Sequence, residues 1–503
     1  MTRKPSPRRA GWAFAAVCAG VFLAALDQTM VVTVLPSILQ GLRIPLTRLD
    51  SASWIITGYL LGYTVAMPLF GRIADVRGRR LMYAVALGIF VSGSAFCVVS
   101  PNLNMLVGAR VIQAAGGGAL VPIGMSIATE IFPAARRALA LGIIGAAAEA
   151  GGVLGPVYGA GLASLGGWKL IFLINVPLGL LIGVSTWLLL HTLIRHGAVG
   201  GGAPGRVDYA GAAFMAIALA SLTIGLGGNA EVDSLAVKPW WLIGSIVAFV
   251  VFVLWELRQK EPLIRLSFFR DIRFTAANIA SLAVGTALIV GMVEIPLYAY
   301  SLLGKSEVEG GLLLMRLTVM IPVGAVLGGW LADRLGYVVS ATAGFLAIAA
   351  GYFLITLWPQ HPGELLMTRD LALAGLGFGL VIAPLGATVI AVVGKAWTAT
   401  GSALITVTRM VGMTVGLAAL SSWGIRRFNR LMADTPLPLR SPDMTDAQYN
   451  AAVQAYEQTI NTALQTLYSN FFLICAVIAL VAVVPALMLS RGSGRPKQPL
   501  PPL

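Results

Sequence analysis

Residues 142–161 read GIIGAAAEAGGVLGPVYGAG and lie within a long apolar run. On a helix, small residues at steps of three and four form one stripe, made here by Gly142, Gly145, Gly152, Pro156 and Gly159. Such a stripe lets a second helix pack closely inside a membrane. The stripe also carries one acidic residue, Glu149. An acid buried in a membrane helix is costly and indicates a functional residue, the alternative being a packing face with a structural ion pair.

The composition of the chain is that of a membrane protein. Of its 503 residues, 57% are hydrophobic and only 11% are charged. The hydrophobic residues form repeated runs of about 18 or more, the length that a helix needs to cross a membrane. Continuous runs indicate helices, because the strands of a membrane barrel alternate apolar and polar residues. The sequence therefore predicts an all-α polytopic membrane protein.

Fourteen runs are long enough to be membrane-spanning helices. They cover residues 11–39, 51–71, 81–99, 103–127, 138–164, 168–190, 208–228, 239–257, 273–301, 310–332, 338–357, 370–393, 399–424 and 468–489. The first run is too long for a signal peptide and is interpreted as a retained helix. Lysine and arginine are concentrated in alternate connections, which indicates that these connections and both termini are cytoplasmic. This distribution explains the net charge of +14. We therefore expect a multi-pass protein of the inner cell membrane that binds no nucleic acid.

An eight-residue motif occurs twice in the chain. GRIADVRG at 71–78 recurs as GWLADRLG at 329–336, and each copy ends the second span of its half. The repeat predicts two six-helix halves, residues 1–195 and 266–503, joined by a linker at 196–265 that contains two extra spans. Secondary transporters are built from such repeats and bind their cargo where the repeats meet.

Five motifs in order resemble those of the major facilitator superfamily, specifically its fourteen-helix drug:proton antiporter branch. They are LDQTMVVTVLP at 26–36, WIITGYL at 54–60, GRIADVRGRR at 71–80, RVIQ at 110–113 and the glycine-rich stretch from 142. The last is similar to the antiporter motif of exporters through Gly142, Gly151, Gly155, Pro156 and Gly159, with Ala160 in place of its final glycine. The resemblance implies the major facilitator fold and export driven by a proton gradient, without a cofactor.

The connection at 425–467 is longer than a loop between two spans needs to be. Thr445 and Gln448 have the spacing of a capping box, and the apolar residues after them fall on one helical face. The sequence thus predicts that the last two spans continue into the periplasm as a helical hairpin. In this respect the chain looks like the mycobacterial exporters of triacylglyceride and related lipids, which implies a periplasmic lipoprotein as a partner. The alternative is an extended loop of a drug pump.

Proton coupling requires a carboxyl group that can bind and release a proton inside the membrane. The resemblance implies that Asp27 is this coupling acid and that Arg110 tunes it, and Glu149 is the second candidate. The repeat aligns Arg409 with the depth of Glu149, so we expect these two side chains to pair across the halves in one state. The alternative for each acid is a static ion pair.

Other charged residues have structural or conformational roles by the same resemblance. Asp75, Arg79 and Arg80 belong to the loop motif, which implies a latch that holds the halves together when the inner side is closed. Asp333 is the second copy of this latch, and it should be weaker because Tyr337 follows it in place of an arginine. Glu294 and Arg316 lie toward the outer ends of their spans and are a candidate outer pair.

The sequence contains no metal-binding cluster, nucleotide-binding motif or nucleophile constellation. We therefore expect a secondary active transporter and not an enzyme, with no metal and with membrane lipids around a monomer. Two functions fit the sequence. The first is a proton-coupled exporter of apolar, triacylglyceride-like lipid, and the alternative is a multidrug:proton antiporter for amphiphilic cations. A membrane receptor or scaffold is disfavoured, because it would give the coupling acids no task.

Overall fold

The computed structural model describes residues 7–42, 49–195, 207–226, 239–259, 262–305, 307–433, 435, 438–439 and 444–489. Every regular element in these ranges is helical. The α-helices are α1 (Pro7–Gly41), α2 (Leu49–Arg77), α3 (Arg79–Val99), α4 (Leu103–Ile131), α5 (Arg137–Gly166), α6 (Trp168–Arg195), α7 (Tyr209–Leu226), α8 (Pro239–Glu256), α9 (Ile272–Ser301), α10 (Glu307–Thr318), α11 (Met320–Leu335), α12 (Tyr337–Thr356), α13 (Glu364–Val393), α14 (Thr398–Met432) and α15 (Asp446–Leu487).

Twelve of the described helices are long and apolar enough to cross a membrane. In this count α10 and α11 form one span, although the helix is interrupted at Val319. α7 is a shorter apolar helix, and α14 is not among the twelve. The prediction of an all-α polytopic protein is therefore confirmed, while the predicted spans at 208–228 and 399–424 lie in helices that this criterion leaves out.

The packing of helices in the first part of the chain is repeated in the second. α1 packs on α5, α2 on α4, and α3 on α4 and α6. The corresponding pairs are α9 with α14, α11 with α13, and α12 with α13 and α15. The two sets meet along α2 and α14 and along α5 and α11. α7 and α8 pair with each other, and α7 also packs on α2.

The repeated motif ends in a glycine that makes the same turn in both copies. Gly78 and Gly336 each have a φ of 99°, a left-handed conformation that strains other residues. Each glycine separates two helices that follow one another directly, α2 from α3 and α11 from α12. The sequence repeat thus fixes the same tight reversal at equivalent points of the fold.

The glycine-rich stretch of α5 has two packing faces and not the single stripe that its spacing predicts. A Cβ atom at Gly151, Gly155 or Gly159 would collide with the backbone of α1. At Gly142 it would collide with the backbone of α11, while Gly152 has open space beside it. Steps of three and four drift around a helix of about 3.6 residues per turn, so the stripe divides between two neighbours. The side chains of Pro156 and Ala160 lie outside the described residues.

The last two helices, α14 and α15, are long and continue into the connection at 425–467. α14 has 35 residues and α15 has 42, or about 52 Å and about 63 Å at a rise of about 1.5 Å per residue. The predicted capping box is confirmed, because Gln448 N donates to Thr445 Oγ1 at 3.3 Å and Thr445 N donates to Gln448 Oε1 at 3.0 Å. Residues 434, 436–437 and 440–443, between these two helices, lie outside the described residues.

Close helix packing predicts a difference between two glycines of α13. A Cβ at Gly375 would overlap the backbone carbonyl of Leu317, whereas a Cβ at Gly386 would meet nothing within 4 Å. We expect Gly375→Ala to destabilise the protein by about 1–3 kcal/mol, the usual cost of overpacking. Thermal unfolding of the purified protein in detergent should show a lower Tm for Gly375→Ala than for the control Gly386→Ala. Equal Tm values would contradict the packing.

Candidate functional site

Asp27 is a buried acid held by donors from two other helices. Arg110 Nη1 on α4 donates to Asp27 Oδ2 at 2.7 Å. Gln113 Nε2 on α4 and Asn175 Nδ2 on α6 both donate to Asp27 Oδ1, at 2.8 Å and 2.7 Å. Asp27 and Arg110 are both 0% exposed. The acid that the resemblance implies for proton coupling therefore lies in an ion pair with two additional amide donors.

Two further helices complete this network. Gln113 also donates to Ser94 Oγ on α3 at 2.7 Å and accepts from Arg110 at 2.7 Å. The Arg110 guanidinium lies 3.9 Å from the centroid of the Tyr59 ring on α2, a cation–π contact. Arg110 keeps its charge under all ordinary conditions, so Asp27 is the member of the pair that can change its charge.

Asn175 and Ser94 are site residues that the sequence reasoning missed. Asn175 is the one amide in the apolar run at 168–190, and a buried amide in a membrane helix requires a polar partner. That requirement marks Asn175 as a residue with a buried polar contact, but it does not identify the partner. Ser94 is one of many serines in apolar runs and has no comparable signal.

Glu149 and Arg409 form a second ion pair that joins the two halves. Arg409 Nη1 on α14 donates to Glu149 Oε1 on α5 at 3.1 Å. Their side chains are 19% and 21% exposed, so this pair is less enclosed than that of Asp27. The repeat alignment predicts this contact, and the structure brings the two side chains together. The four charged residues nevertheless form two separate pairs and not one set.

Two tyrosines on one face of α2 lie between the ion pairs. The rings of Tyr59 and Tyr63 stack with centroids 5.9 Å apart. Tyr59 contacts Arg110, and Tyr63 lies within electrostatic reach of Arg409 and Glu149. Residues four apart share one helical face, so α2 places neighbouring aromatic side chains near both pairs.

A small cavity lies beside Arg409 where the halves meet. Its volume is about 30 Å³, far below the roughly 300–1,000 Å³ of a ligand pocket. Apolar side chains form most of its wall, and its lining is Met125, Ser281, Val284, Ile382, Leu385, Gly386, Ile405, Thr406 and Arg409. This cavity therefore leaves little room between the helices beside Arg409.

The first copy of the repeated motif attaches α2 to the beginning of α14. Asp75 accepts hydrogen bonds from the backbone N–H groups of Ala399 and Thr400 at 3.1 Å and 2.9 Å, and from the Thr400 hydroxyl at 2.9 Å. A carboxylate is stabilised at a helix N-terminus, where backbone N–H groups are free. Arg79 adds an ion pair to Asp75 at 3.2 Å.

The second copy makes the matching contact with the beginning of α5. Asp333 accepts from the backbone N–H groups of Ala138 and Leu139 at 3.2 Å and 3.0 Å. Among the described residues Asp333 has no basic partner corresponding to Arg79. Both contacts join one half to the other, and we call their shared end of the bundle the latch end.

Arg79 and Arg80, which the resemblance groups with this latch, have different neighbours. Arg79 bonds to Glu130 on α4 and to the backbone carbonyl of Lys395 in the other half. The predicted role of Arg80 between the halves is wrong for this structure. Its guanidinium stacks on Trp187, 3.6 Å from the ring centroid, and lies 2.8 Å from His191 Nδ1. Arg80 follows the helix reversal at Gly78, which directs it to α6.

The predicted outer pair of Glu294 and Arg316 does not form. Arg316 instead pairs with Glu364 and donates to the Thr368 hydroxyl at 2.9 Å. Lys305 Nζ donates to the same Glu364 side chain at 2.7 Å. Glu294 is buried in α9, and no ion pair joins it to Arg316. The position of each residue along its predicted span places both at one end of the bundle, but it does not show which neighbours their side chains reach.

The Asp27 network predicts an asymmetry between its two charged members. Asp27→Asn leaves Arg110 buried without a counter-charge, and Arg110 cannot lose its own charge. We therefore expect a destabilisation of about 3–5 kcal/mol. Arg110→Met leaves an acid that can take up a proton, so its cost should be small at acid pH and grow as the pH rises. Thermal unfolding across pH tests this, with Asp27→Asn/Arg110→Met as the charge-balanced control. Equal, pH-independent losses for both single variants would refute the asymmetry.

The two latch aspartates predict unequal effects of the same substitution. Asp75→Asn removes an ion pair and a charged acceptor for three hydrogen bonds, whereas Asp333→Asn affects two backbone contacts. Spin-label distances between the latch-end termini of α2 and α14, and of α11 and α5, should widen more in Asp75→Asn. A larger opening in Asp333→Asn would show that the second latch dominates.

Comparison with known proteins identifies the family. The sequence profile of the Major Facilitator Superfamily matches residues 17–417. The triacylglyceride transporter of Mycobacteroides abscessus is 40% identical over 87% of this chain and 88% of its own length. That of Mycolicibacterium hassiacum is 37% identical, over 96% and 93%. That of Mycobacterium tuberculosis H37Rv is 36% identical, over 95% and 94%.

Solved structures of distant sequence show the same fold. The proton:xylose symporter XylE superposes with a TM-score of 0.58 at 15% identity, over 95% of each chain. The human organic anion transporter MFSD10 gives a TM-score of 0.57 at 14% identity, over 94% of this chain and all of that one. The chain is therefore a multi-pass membrane transporter that belongs to the Major Facilitator Superfamily, with mycobacterial triacylglyceride transporters as its relatives.

Proposed function

We propose that the protein is a proton-coupled exporter that moves a triacylglyceride-like lipid from the inner membrane outward by alternating access. The names of the three mycobacterial relatives support the cargo class. The observation that carries the choice of an apolar cargo is the pairing of acids near the seam between the halves. Asp27 and Glu149 each have an arginine partner. A pump for cations needs an unpaired acid to bind its cargo, and no described acid at this seam is unpaired.

The topology of this proposal has fourteen spans, with α7, α8 and α14 included. α7 has 18 residues, about 27 Å of helix, close to the ~30 Å of a hydrocarbon core. The chain then consists of halves at 1–195 and 266–503 with the linker helices at 196–265 between them. The latch end and both termini face the cytoplasm, as the basic residues at that end favour.

The two ion pairs suggest how a proton drives the change between states. In the closed arrangement Asp27 is ionised against Arg110, and Glu149 holds α5 to α14. A proton on Asp27 removes its attraction for Arg110 and changes the charge beside Tyr59 and the neighbouring pair. The bond between Glu149 and Arg409 then has to break before the halves can separate at that depth. Three of the antiporter-motif glycines, Gly151, Gly155 and Gly159, bring the backbone of α5 against that of α1, and this smooth contact lets the two helices slide along one another.

The long helices α14 and α15 form the outer part of the export route in this proposal. Residues 425–467 extend beyond the membrane as a periplasmic helical hairpin and pass the lipid to a periplasmic lipoprotein. The half-buried positions of this region include Tyr449, Val453, Tyr456 and Ile460, the predicted apolar face. Such a face provides apolar cover for an acyl chain that has left the bilayer. The transporter acts as a monomer.

Transport in vesicles with an imposed proton gradient tests the proposal. We expect wild-type protein to move a labelled triacylglyceride faster with the gradient than without it. Asp27→Asn/Arg110→Met keeps the buried charge balanced but has no group to protonate, so its transport should not respond to the gradient. An ethidium-like dye serves as the competing cargo. Gradient-driven export of the dye without the lipid would support the multidrug alternative and overturn the lipid assignment.

A hairpin variant separates the two cargo classes further. A short Gly/Ser linker in place of residues 430–462 removes the proposed outer route but keeps the membrane-spanning parts of α14 and α15. Lipid export should fall strongly, because the cargo has no path through water, while a soluble dye would leave as before. Unchanged lipid export by a well-folded variant would show that the hairpin has no part in delivery.

A further inference from the structure

Glu294 is a buried acid that neither ion pair uses. It lies in α9, and only 7% of its surface is exposed. Among the described residues it has no hydrogen-bond or ion-pair partner. An ionised carboxylate in such a place would be costly, because burial removes most of its contact with water and no described group pairs with it. The neutral, protonated form of the acid avoids this cost.

Glu294 lies on the side of α9 opposite to α14. Gly285 of the same helix packs against the backbone of Arg409 on α14. Glu294 follows Gly285 by nine residues (294 − 285), or two and a half turns at about 3.6 residues per turn, so the two lie on opposite sides of α9. Glu294 is therefore separate from the ion pair that Arg409 forms with Glu149.

The groups around Glu294 are hydroxyl and thiol groups. Tyr468 and Cys475 of α15 lie within electrostatic reach of it. Tyr298, one turn further along α9, makes an edge-to-face contact with Tyr468, with ring centroids 5.5 Å apart. On α12, the Tyr352 hydroxyl donates to the backbone of α9 at Ala287, 2.9 Å away. None of these supplies a positive charge.

Three charged residues on helices that pack against α9 are engaged elsewhere. Arg316 on α10 pairs with Glu364. Asp370 on α13 accepts from Trp358 Nε1 and pairs with Arg369. Arg409 on α14 pairs with Glu149. In the described part of the chain no ion pair joins Glu294 to any charged residue of the elements packed on α9, which also carry Arg270, Glu309, Arg426, Arg427, Arg430, Asp446 and Glu457.

We propose that Glu294 is a second proton-binding site, separate from Asp27, and that its proton holds α15 against α9. Loss of the proton places a charge in the contact, draws in water and loosens α15. α15 is the helix that continues to Asp446 at the end of the extended region. Pro296, two residues after Glu294, removes one backbone hydrogen bond of α9 and makes bending easy there. This inference deepens the proposed proton coupling and rests on it for its place in the transport cycle.

Infrared difference spectroscopy of the full chain in detergent detects the proton directly. We expect the carbonyl band of a buried, protonated carboxyl group, which should weaken as the pH is raised and the group ionises. Glu294→Gln should remove this band, while Glu364→Gln, which changes an exposed glutamate, should leave it. The same band in Glu294→Gln would overturn the proposal.

Alkylation of Cys475 reports the loosening of α15. Cys475 is 0% exposed, and mass spectrometry distinguishes it from Cys18 and Cys97 after N-ethylmaleimide treatment. Raising the pH should increase its labelling several-fold more in the wild type than in Glu294→Gln, where only ionisation of the thiol contributes. Identical pH profiles in the two proteins would refute a role for Glu294 in holding α15.

Both measurements are independent of cargo. Asp27→Asn/Arg110→Met should retain the Glu294 band and the pH dependence of Cys475 labelling. If that double variant still transports lipid in response to a gradient, the proposed coupling at Asp27 is wrong while the Glu294 site stands. If coupling is lost in the double variant and the band is absent from the wild type, the second site is wrong while the coupling stands.

Discussion

The cost of an uncompensated charge away from water constrains this structure more than any other factor. Hydrophobic burial does not select between helix partners when lipid is as apolar as the protein interior, so polar contacts and close packing decide. Asp27 is satisfied by three donors from α4 and α6. Their positions fix how α1, α4 and α6 are oriented around one carboxyl group. Because of the same constraint, the binding or loss of a proton at Asp27 changes how these three helices are held together.

The internal repeat gives the two halves equivalent parts that differ in charge. Asp75 and Asp333 cap the helices of the opposite half in the same way, but only Asp75 has an arginine beside it. In the seam, α5 supplies the acid and α14 the base at matching positions. The halves are therefore similar in backbone and complementary in charge, and this difference is what allows them to bind one another.

Local sequence signals predicted the features that depend on a single helix or on the repeat. Thr445 and Gln448 gave a helix start, and the repeat gave the pairing of Glu149 with Arg409. The contact of Asp27 with Asn175 was harder to predict, because it depends on how α6 is rotated against α1. The outer pair failed for a related reason, because Arg316 binds Glu364 of α13, a residue far away in the sequence. Spacing gives the height of a residue along its helix, whereas its direction depends on packing between distant segments.

Most donors in the two latches are main-chain N–H groups, and this has an evolutionary consequence. Side chains at Ala138, Leu139 and Ala399 do not form the bonds that Asp333 and Asp75 accept. The exception is Thr400, whose hydroxyl also donates to Asp75. At the other three positions hydrogen bonding excludes only proline, which has no N–H group, whereas burial restricts Ala138 and Ala399 to small residues. One half of the transporter therefore constrains the size of these residues in the other half more than their chemistry.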